Sequence, residues 1–203
     1  MTITTIYDAM AKLLAYPDEQ YHKRLWQCRH ALGERHPEAM RFLDRFTHDV
    51  ESMTIEDLQE LYTQAFDLNP ICTLELGWQL FGENYSRGEF LVEMRQTLRR
   101  LDVPESTELP DHITHVLAAF GRMPAKEADR FASRFLLPAL EKMLQGLSGK
   151  QCPYEDVLEA IRAVVLSPYG ANIPSPSASE GPLCHCPSLA LRLGPASEEV
   201  HHG

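Results

Sequence analysis

Apolar residues recur at every third or fourth position along most of the chain, from Ile3 to Val165. That spacing follows the 3.6-residue period of amphipathic helices, and no segment shows the two-residue alternation of a half-buried strand. The dipeptides Asn-Gly and Asp-Gly, which are typical of β-hairpin turns, do not occur in the sequence. The pattern therefore predicts an all-α fold of roughly eight to ten helices, packed as a single-domain helical bundle.

Three features mark helix boundaries. Pro17 is expected to end a first helix at about Ala15. Thr54 and Asp57 have the spacing of the N-cap and the third helical residue, which predicts a capping box. Pro138 lies inside an apolar periodic stretch, where its missing N–H is expected to kink the helix or to restart it.

Aromatic residues are concentrated in residues 60–88, where two apolar stripes meet. They are Tyr62, Phe66, Trp78, Phe81 and Tyr85. We expect Phe66 and Leu74 to lie in the core. Tyr62 and Trp78 are the candidates for lining a peptide groove, because large amphipathic rings are common at interfaces. The stretch is interpreted as a surface that packs against, or binds, another chain.

Two groups of polar residues complete the candidate site. Glu83 and Arg87 are four residues apart and are expected to share a helix face, where they can pair. Asp111 is predicted to begin and cap a helix, because the helix dipole favours a carboxylate there. His112 and His115 follow it. A metal or acid–base centre is conceivable at these three residues, but a capping aspartate with half-exposed histidines is favoured.

Composition narrows the class of partner. The chain has 203 residues, of which 44% are hydrophobic, so it is expected to be globular. Its net charge of -10 argues against nucleic acid and against an anionic membrane surface, and it is compatible with a basic partner such as an arginine-containing peptide. No signal peptide and no stretch of membrane-spanning length are recognised, so we expect a cytoplasmic protein without membrane insertion.

The composition changes from Ser167, where apolar periodicity stops and prolines alternate with serines. We therefore expect a helical domain of residues 1–170 and a disordered, flexible tail of residues 171–203. The tail contains Cys184-His185-Cys186, whose spacing does not match a structural zinc site.

Catalytic motifs are absent from the sequence. It contains no Gly-x-Ser-x-Gly nucleophile motif and no glycine-rich phosphate loop. The five cysteines are odd in number and scattered, so no disulfide framework is predicted. The chain is interpreted as a non-enzyme, and neither a cofactor nor a metal site is assigned to it.

Four sequence features occur in order within residues 62–112, and the resemblance that they carry extends over roughly residues 3–166. They are Tyr62-x-x-x-Phe66-Asp67, Leu74, Gly82-Glu83-x-x-x-Arg87-Gly88 and Glu108-Leu109-Pro110-Asp111-His112. Together they resemble the NarJ-type chaperones, which are the molybdenum-cofactor assembly factors of respiratory nitrate reductase. These chaperones belong to the wider group of redox-enzyme maturation chaperones.

The resemblance implies an all-α, non-catalytic, cytoplasmic chaperone. Such a protein binds the apo catalytic subunit of a molybdoenzyme, often through its N-terminal peptide. It assists molybdenum-cofactor insertion and delays membrane docking until maturation is complete. Nitrate reductase is the favoured client, and a monomer or weak dimer is expected. The expected client-peptide-binding residues are Tyr62, Trp78, Glu83, Arg87, Asp111 and His112.

Three alternatives stay open at this point. Related molybdoenzymes, such as selenate, chlorate, dimethylsulfide and ethylbenzene oxidoreductases, have similar chaperones and are alternative clients. From a different class, the chain is a metal-dependent hydrolase that uses Asp111, His112 and His115. It is also conceivable as a stable subunit of the mature oxidoreductase complex.

Overall fold

The computed structural model describes residues 3–169, with the side chains of residues 6–167. Its regular elements are helices, which confirms the predicted all-α fold, and one isolated antiparallel bridge joins Glu75 to His112. The α-helices of this range are α1 (Ile3–Ala11), α2 (Tyr21–Leu32), α3 (Pro37–Val50), α4 (Ile55–Tyr62), α5 (Leu76–Phe81), α6 (Tyr85–Arg100), α7 (Ile113–Phe120), α8 (Ala125–Phe131), α9 (Leu137–Leu147) and α10 (Tyr154–Tyr169). None of them is long and apolar enough to cross a membrane. The predicted tail, residues 171–203, lies outside the described residues.

Aromatic contacts occupy the core beneath α10, which packs along α3 and α9. The ring centroid of Tyr154, in the first turn of α10, lies 5.4 Å from that of Phe46, 5.8 Å from Tyr62 and 5.0 Å from Phe66. Edge-to-face and tilted ring pairs at such distances stabilise a core by more than the burial of their apolar area alone. The core positions predicted for Phe66 and Leu74 are confirmed, since each is 3% exposed.

The first helix is shorter than predicted. It ends at Ala11, and Leu13 and Leu14 continue the buried stripe within a turn. The carbonyls of this turn are satisfied by side chains: the hydroxyl of Tyr21 donates to the carbonyl of Leu13 at 3.0 Å, and that of Tyr62 donates to Leu14 at 3.2 Å. Distant tyrosines thus replace the hydrogen bonds of a longer helix.

Two local predictions are confirmed. The hydroxyl of Thr54 accepts from the N–H of Asp57 at 3.2 Å, and the Asp57 carboxylate accepts from the N–H of Thr54 at 3.0 Å, which forms the capping box of α4. Ahead of Pro138, α8 continues into a π-helical segment, Ala132–Leu136, and the α-helix restarts as α9. The wider π-turn accommodates a proline that lacks an N–H.

Replacing Phe66 with alanine should lower the free energy of unfolding by about 3–5 kcal/mol, because the buried ring contacts Tyr62 and Tyr154. Denaturant unfolding measures this. The control is Val92→Ala on α6, where the side chain is 59% exposed and the change should stay within about 0.5 kcal/mol. Similar small losses in both variants would contradict the core position of Phe66.

Candidate functional site

A groove lies on the surface where the turn after α1, the end of α4 and the loop before α7 meet. It consists of two adjoining cavities, of about 610 Å³ and about 420 Å³, which share Tyr16, Tyr62, Glu108 and His112 as lining residues. Tyr16 is 52% exposed, whereas Tyr62 is 6% exposed and belongs mainly to the core. The groove therefore brings together two of the predicted site residues, Tyr62 and His112.

The larger cavity combines small apolar side chains with an ion pair. Its apolar lining comes from Ala11, Ala15, Val103, Pro104 and Ala118. Asp8 and Arg122 also line it, and the guanidinium of Arg122 donates to the Asp8 carboxylate at 2.7 Å. Lys12 and Glu108 line the cavity as well, so its lining carries two positive and two negative side chains that offset each other, and the cavity suits the apolar side chains of a peptide.

The smaller cavity is acidic. Asp67 and Glu75 line it together with the shared Glu108, and Phe66 and Leu74 contribute apolar surface. Asp67 ends the π-helical segment Thr63–Asp67 that continues α4. π-Helical turns widen a helix locally, and here the turn ends beside the cavity.

A short antiparallel pairing joins the start of α5 to the start of α7. The N–H of Leu76 donates to the carbonyl of Asp111 at 3.0 Å, next to the bridge between Glu75 and His112. Both bridged residues line the smaller cavity. This wall of the groove therefore depends on two segments that are far apart in the chain.

Asp111 is fully buried and caps α5 instead of its own helix. Its Oδ2 accepts from the N–H of Gly77, the second residue of α5, at 2.8 Å. The prediction that Asp111 begins and caps its own helix is wrong, because α7 begins at Ile113 and His112 is its N-cap, with Nδ1 accepting from the N–H of Thr114 at 3.4 Å. At 0% exposure, Asp111 presents no surface to a client in this conformation.

The close approach of Asp111 to α5 requires glycine at position 77. A Cβ atom on Gly77 would lie 2.6 Å from Oδ2 of Asp111 and 3.1 Å from the ring of Phe90. Burial raises the pKa of Asp111, and the hydrogen bond from Gly77 and the positive charge of Arg87 act in the opposite direction. The site thus holds a desolvated carboxylate that is hydrogen-bonded through Oδ2, whereas its buried Oδ1 has no hydrogen-bond partner within the described residues.

His115 fixes the loop that carries Glu108. Its Nε2 accepts from the N–H of Ser106 at 3.0 Å, and its Nδ1–H donates to the carbonyl of Leu109 at 2.9 Å. One nitrogen accepts and the other donates, which is the pattern of a neutral imidazole. His115 therefore holds both ends of a loop that lines the groove.

The geometry does not support a metal centre at Asp111, His112 and His115. Asp111 and His115 direct their bonded polar atoms to different backbone groups. Within residues 6–167, no three His, Cys, Asp or Glu side chains are grouped so as to hold a metal ion. The two histidines are each 5% exposed, so the prediction that they are half-exposed is also wrong.

Trp78, Glu83 and Arg87 line neither cavity. Helix α5 ends before Gly82, whose φ of 58° lies in the left-handed region, and Asn84 caps α6. Glu83 therefore precedes the helix that carries Arg87, and the predicted shared helix face and pairing are wrong. The guanidinium of Arg87 instead lies 5.1 Å from the ring centroid of Trp78, a cation–π contact.

Sequence reasoning missed Tyr16, Glu75 and Gly77 as parts of the site. Tyr16 directly precedes the helix-ending Pro17, and that position could have indicated an exposed ring in a loop. Glu75 and Gly77 have no such local signal, because their roles arise only from pairing with the segment around Asp111.

Comparison with known proteins identifies relatives of the chain. The family model described as nitrate reductase delta subunit matches residues 29–156, more than half of the chain. The nitrate reductase molybdenum cofactor assembly chaperones NarJ of Escherichia coli K12 and of Escherichia coli O157:H7 are each 28% identical to it over 123 residues. The alignments cover 59% of this chain and 52% of each relative, so the chain spans about half the length of the curated relatives it matches. The resemblance to NarJ-type chaperones is confirmed.

Removing the Asp111 carboxylate should destabilise the fold. Asp111→Ala leaves the N–H of Gly77 buried without an acceptor, which should lower the free energy of unfolding by about 1–3 kcal/mol. Asp111→Asn keeps an oxygen acceptor and should lose less. Chemical denaturation of the parent and the two variants gives the order of their stabilities. Equal stability of Asp111→Ala and the parent would contradict the capping role of Asp111.

The same contact can be tested from the glycine side. Gly77→Ala forces a methyl group against Oδ2 of Asp111 and should be destabilising by about 1–3 kcal/mol. The matched control is Gly88→Ala on α6, where a Cβ atom would meet nothing within 4 Å. Because alanine favours helix, that control should be neutral or slightly stabilising.

His112 should make the fold less stable in acid. Burial, and to a smaller extent the charge of His115, lowers the pKa of His112 to about 4. The unfolded chain binds the proton first, since free histidine titrates near about 6.5. Stability should therefore be lost as the pH falls from about 6.5 towards 4, by up to about 3 kcal/mol.

The control for this prediction is His112→Asn, because asparagine still caps a helix but does not titrate. Unfolding free energies of both proteins are compared across that pH range, and the variant should show the smaller loss. Asp111 acts in the opposite direction, because its folded-state pKa is raised. The contribution of His112 is therefore the difference in unfolding free energy between the two proteins. An identical pH dependence of the two proteins would contradict the prediction.

Proposed function

The chain belongs to the nitrate reductase delta subunit family, and on that premise we propose that it is a system-specific chaperone of a respiratory molybdoenzyme. Its client is the apo catalytic subunit of nitrate reductase. The chaperone binds the N-terminal peptide of this subunit and assists molybdenum-cofactor insertion before the subunit docks at the membrane. The names of the relatives support this proposal, and the observation that carries it is the groove.

The groove has the chemistry that an amphipathic peptide requires. The larger cavity offers apolar surface from Ala11, Ala15 and Ala118, where the apolar face of a helix can lie. The smaller cavity offers the carboxylates of Asp67 and Glu75, where basic residues can lie. A net charge of -10 also favours the approach of a basic segment.

Of the residues predicted to bind the client, the proposal retains Tyr62 and His112 as groove residues. Trp78, Glu83 and Arg87 lie outside the two cavities, where Arg87 contacts the ring of Trp78, and Asp111 acts from the interior by holding α5. The chaperone is proposed to act in the cytoplasm as a monomer or weak dimer, with no catalytic step and no cofactor of its own. Chaperones of selenate, chlorate, dimethylsulfide or ethylbenzene oxidoreductases are the alternatives within this class.

The family description also favours a second candidate function. A nitrate reductase delta subunit, as the family is called, would be a permanent component of the oxidoreductase complex. A permanent component would co-purify with the active membrane-bound enzyme in constant ratio, whereas a chaperone would be enriched with the apo catalytic subunit. Purification of the mature complex, with quantification of this chain, distinguishes the two functions.

Filling the larger cavity should block client binding. Ala118 lines that cavity, so Ala118→Trp should weaken binding of the N-terminal peptide of the nitrate reductase catalytic subunit by at least about tenfold. Calorimetric titration measures the affinity. Ala125→Trp, at an exposed position at the start of α8, introduces the same side chain outside the groove and should bind like the parent.

Melting curves of both tryptophan variants show whether the fold is retained. Failure of the parent to bind the peptide, or equal affinity of the two folded variants, would contradict the proposed function. Peptides from the related molybdoenzymes, titrated in parallel, rank the alternative clients by affinity.

A further inference from the structure

Two free cysteines lie on segments that are far apart in the chain but neighbours in the fold. Cys72 lies in the loop before α5, and Cys152 lies in the connection between α9 and α10. Contacts at both ends of that connection hold the two segments side by side. A Cβ atom on Gly146, at the end of α9, would lie 3.1 Å from the Cβ of Cys72. At the start of α10, the ring centroid of Tyr154 lies 5.0 Å from that of Phe66.

Side-chain hydrogen bonds hold the loop that carries Cys72. The Nδ2 of Asn69 donates to a carbonyl of α9 at 3.3 Å. The Nε2 of Gln79 donates at 3.0 Å to each of the carbonyls on either side of the cysteine, those of Ile71 and Thr73. Both side chains are buried. The position of the Cys72 side chain is therefore fixed, which favours disulfide formation because a disulfide tolerates only a narrow range of geometries.

The connection that carries Cys152 turns sharply. The N–H of Lys150 donates to the carbonyl of Leu147 at 3.0 Å, and Gly149 has a φ of 75°. Gln151, directly before the cysteine, has a φ of 51° and is one of two non-glycine residues in the described range with a positive φ. Such a backbone is costly for a residue with a side chain and persists only where its surroundings hold it. The connection is thus a constrained turn.

The two thiols are close enough for the charge on one to affect the other. Burial is the main cause that raises the pKa of Cys72 to about 12, and a negative charge on Cys152 raises it further. Cys28 is equally buried, and burial alone raises its pKa to about 12. Among the cysteines of the described residues, Cys72 and Cys152 therefore form the pair that the fold brings together.

Only one thiol of this pair is accessible from solvent. Cys72 is 0% exposed, whereas Cys152 is half-buried and lines an open cavity of about 500 Å³. The lining of that cavity carries four acidic side chains and one basic one, Arg45. Such a charge balance repels an anionic oxidant such as glutathione disulfide, but it does not repel hydrogen peroxide, which is small and uncharged.

We propose that Cys72 and Cys152 form a reversible disulfide when the protein meets hydrogen peroxide. The thiolate of Cys152 attacks one peroxide oxygen, the O–O bond breaks, and the departing hydroxide takes up a proton to become water, which leaves a sulfenic acid on Cys152. The sulfur of Cys72 loses its proton and attacks the sulfenic sulfur. The S–O bond breaks, and a second water leaves. Two thiols lose two electrons in all, and one peroxide is reduced to two waters.

The disulfide would act as a redox-dependent clamp on the groove. It ties the loop before α5 to the start of α10. Asp67 and Thr73, on either side of the exposed part of that loop, line the smaller cavity, so the crosslink fixes the rim of this cavity. The inference concerns the fold alone and does not depend on the proposed function.

The test is peroxide treatment of the full chain with Cys184→Ser/Cys186→Ser, a three-cysteine protein that retains Cys28, Cys72 and Cys152. Thiols counted after unfolding should fall from three to one, and mass spectrometry of the unreduced digest should find Cys72 joined to Cys152. Dithiothreitol should restore all three thiols. The oxidised protein should melt about 5 °C or more above the reduced one, because a crosslink between distant segments restricts the unfolded chain.

Cys72→Ala distinguishes a disulfide pair from a single reactive thiol. Without its partner, the sulfenic acid of Cys152 should persist and be labelled by dimedone, whereas the three-cysteine protein should escape labelling. The matched control, Cys28→Ala, removes a buried thiol outside the pair and should keep the disulfide, and melting curves of the reduced variants show that they fold. Absence of the joined peptide, equal dimedone labelling of Cys72→Ala and the three-cysteine protein, or an unchanged melting temperature on oxidation would overturn the proposal.

Discussion

A buried carboxylate that caps a helix from a distant part of the chain holds the groove in shape. The bond from the N–H of Gly77 to Asp111 spans 34 residues of sequence. A buried carboxylate is costly without hydrogen bonds, and here the start of α5 and the charge of Arg87 offset part of that cost. Because the backbone pairing beside it positions Glu75 and His112, loss of the cap would disturb the acidic wall as well as α5.

The features that sequence reasoning predicted well are those decided by neighbouring residues. The capping box of Thr54 and Asp57 needs only a three-residue spacing, and the sequence contains it. Asp111 also has the position and chemistry of a local cap, but tertiary packing determines that it accepts from the N–H of Gly77. Glu83 was misplaced because apolar periodicity continues across Gly82, and nothing in that period reveals a glycine at positive φ.

The placement of charge in the groove could not be predicted from net charge. A value of -10 is compatible with an evenly solvated acidic surface. In the structure, positive and negative side chains balance in the lining of the larger cavity, with Lys12 and Glu108 beside the ion pair of Asp8 and Arg122. The lining of the smaller cavity has three carboxylates and neither lysine nor arginine. Under the proposed function, this difference divides the groove into a part for apolar side chains and a part for basic ones, which would give a bound peptide a direction.

Two neutral histidines, His112 and His115, keep the walls of the groove rigid. His115 can hold Ser106 and Leu109 only when one of its ring nitrogens lacks a proton, and burial keeps His112 neutral at pH 7. The loop beside α7 is therefore held before any peptide arrives, and binding does not need to order it. Under the proposed function, the affinity then depends mainly on the freedom that the peptide loses and on the charges that it neutralises. A client segment that is stabilised more by folding into its own subunit than by binding the groove will leave the groove. A chaperone requires such release.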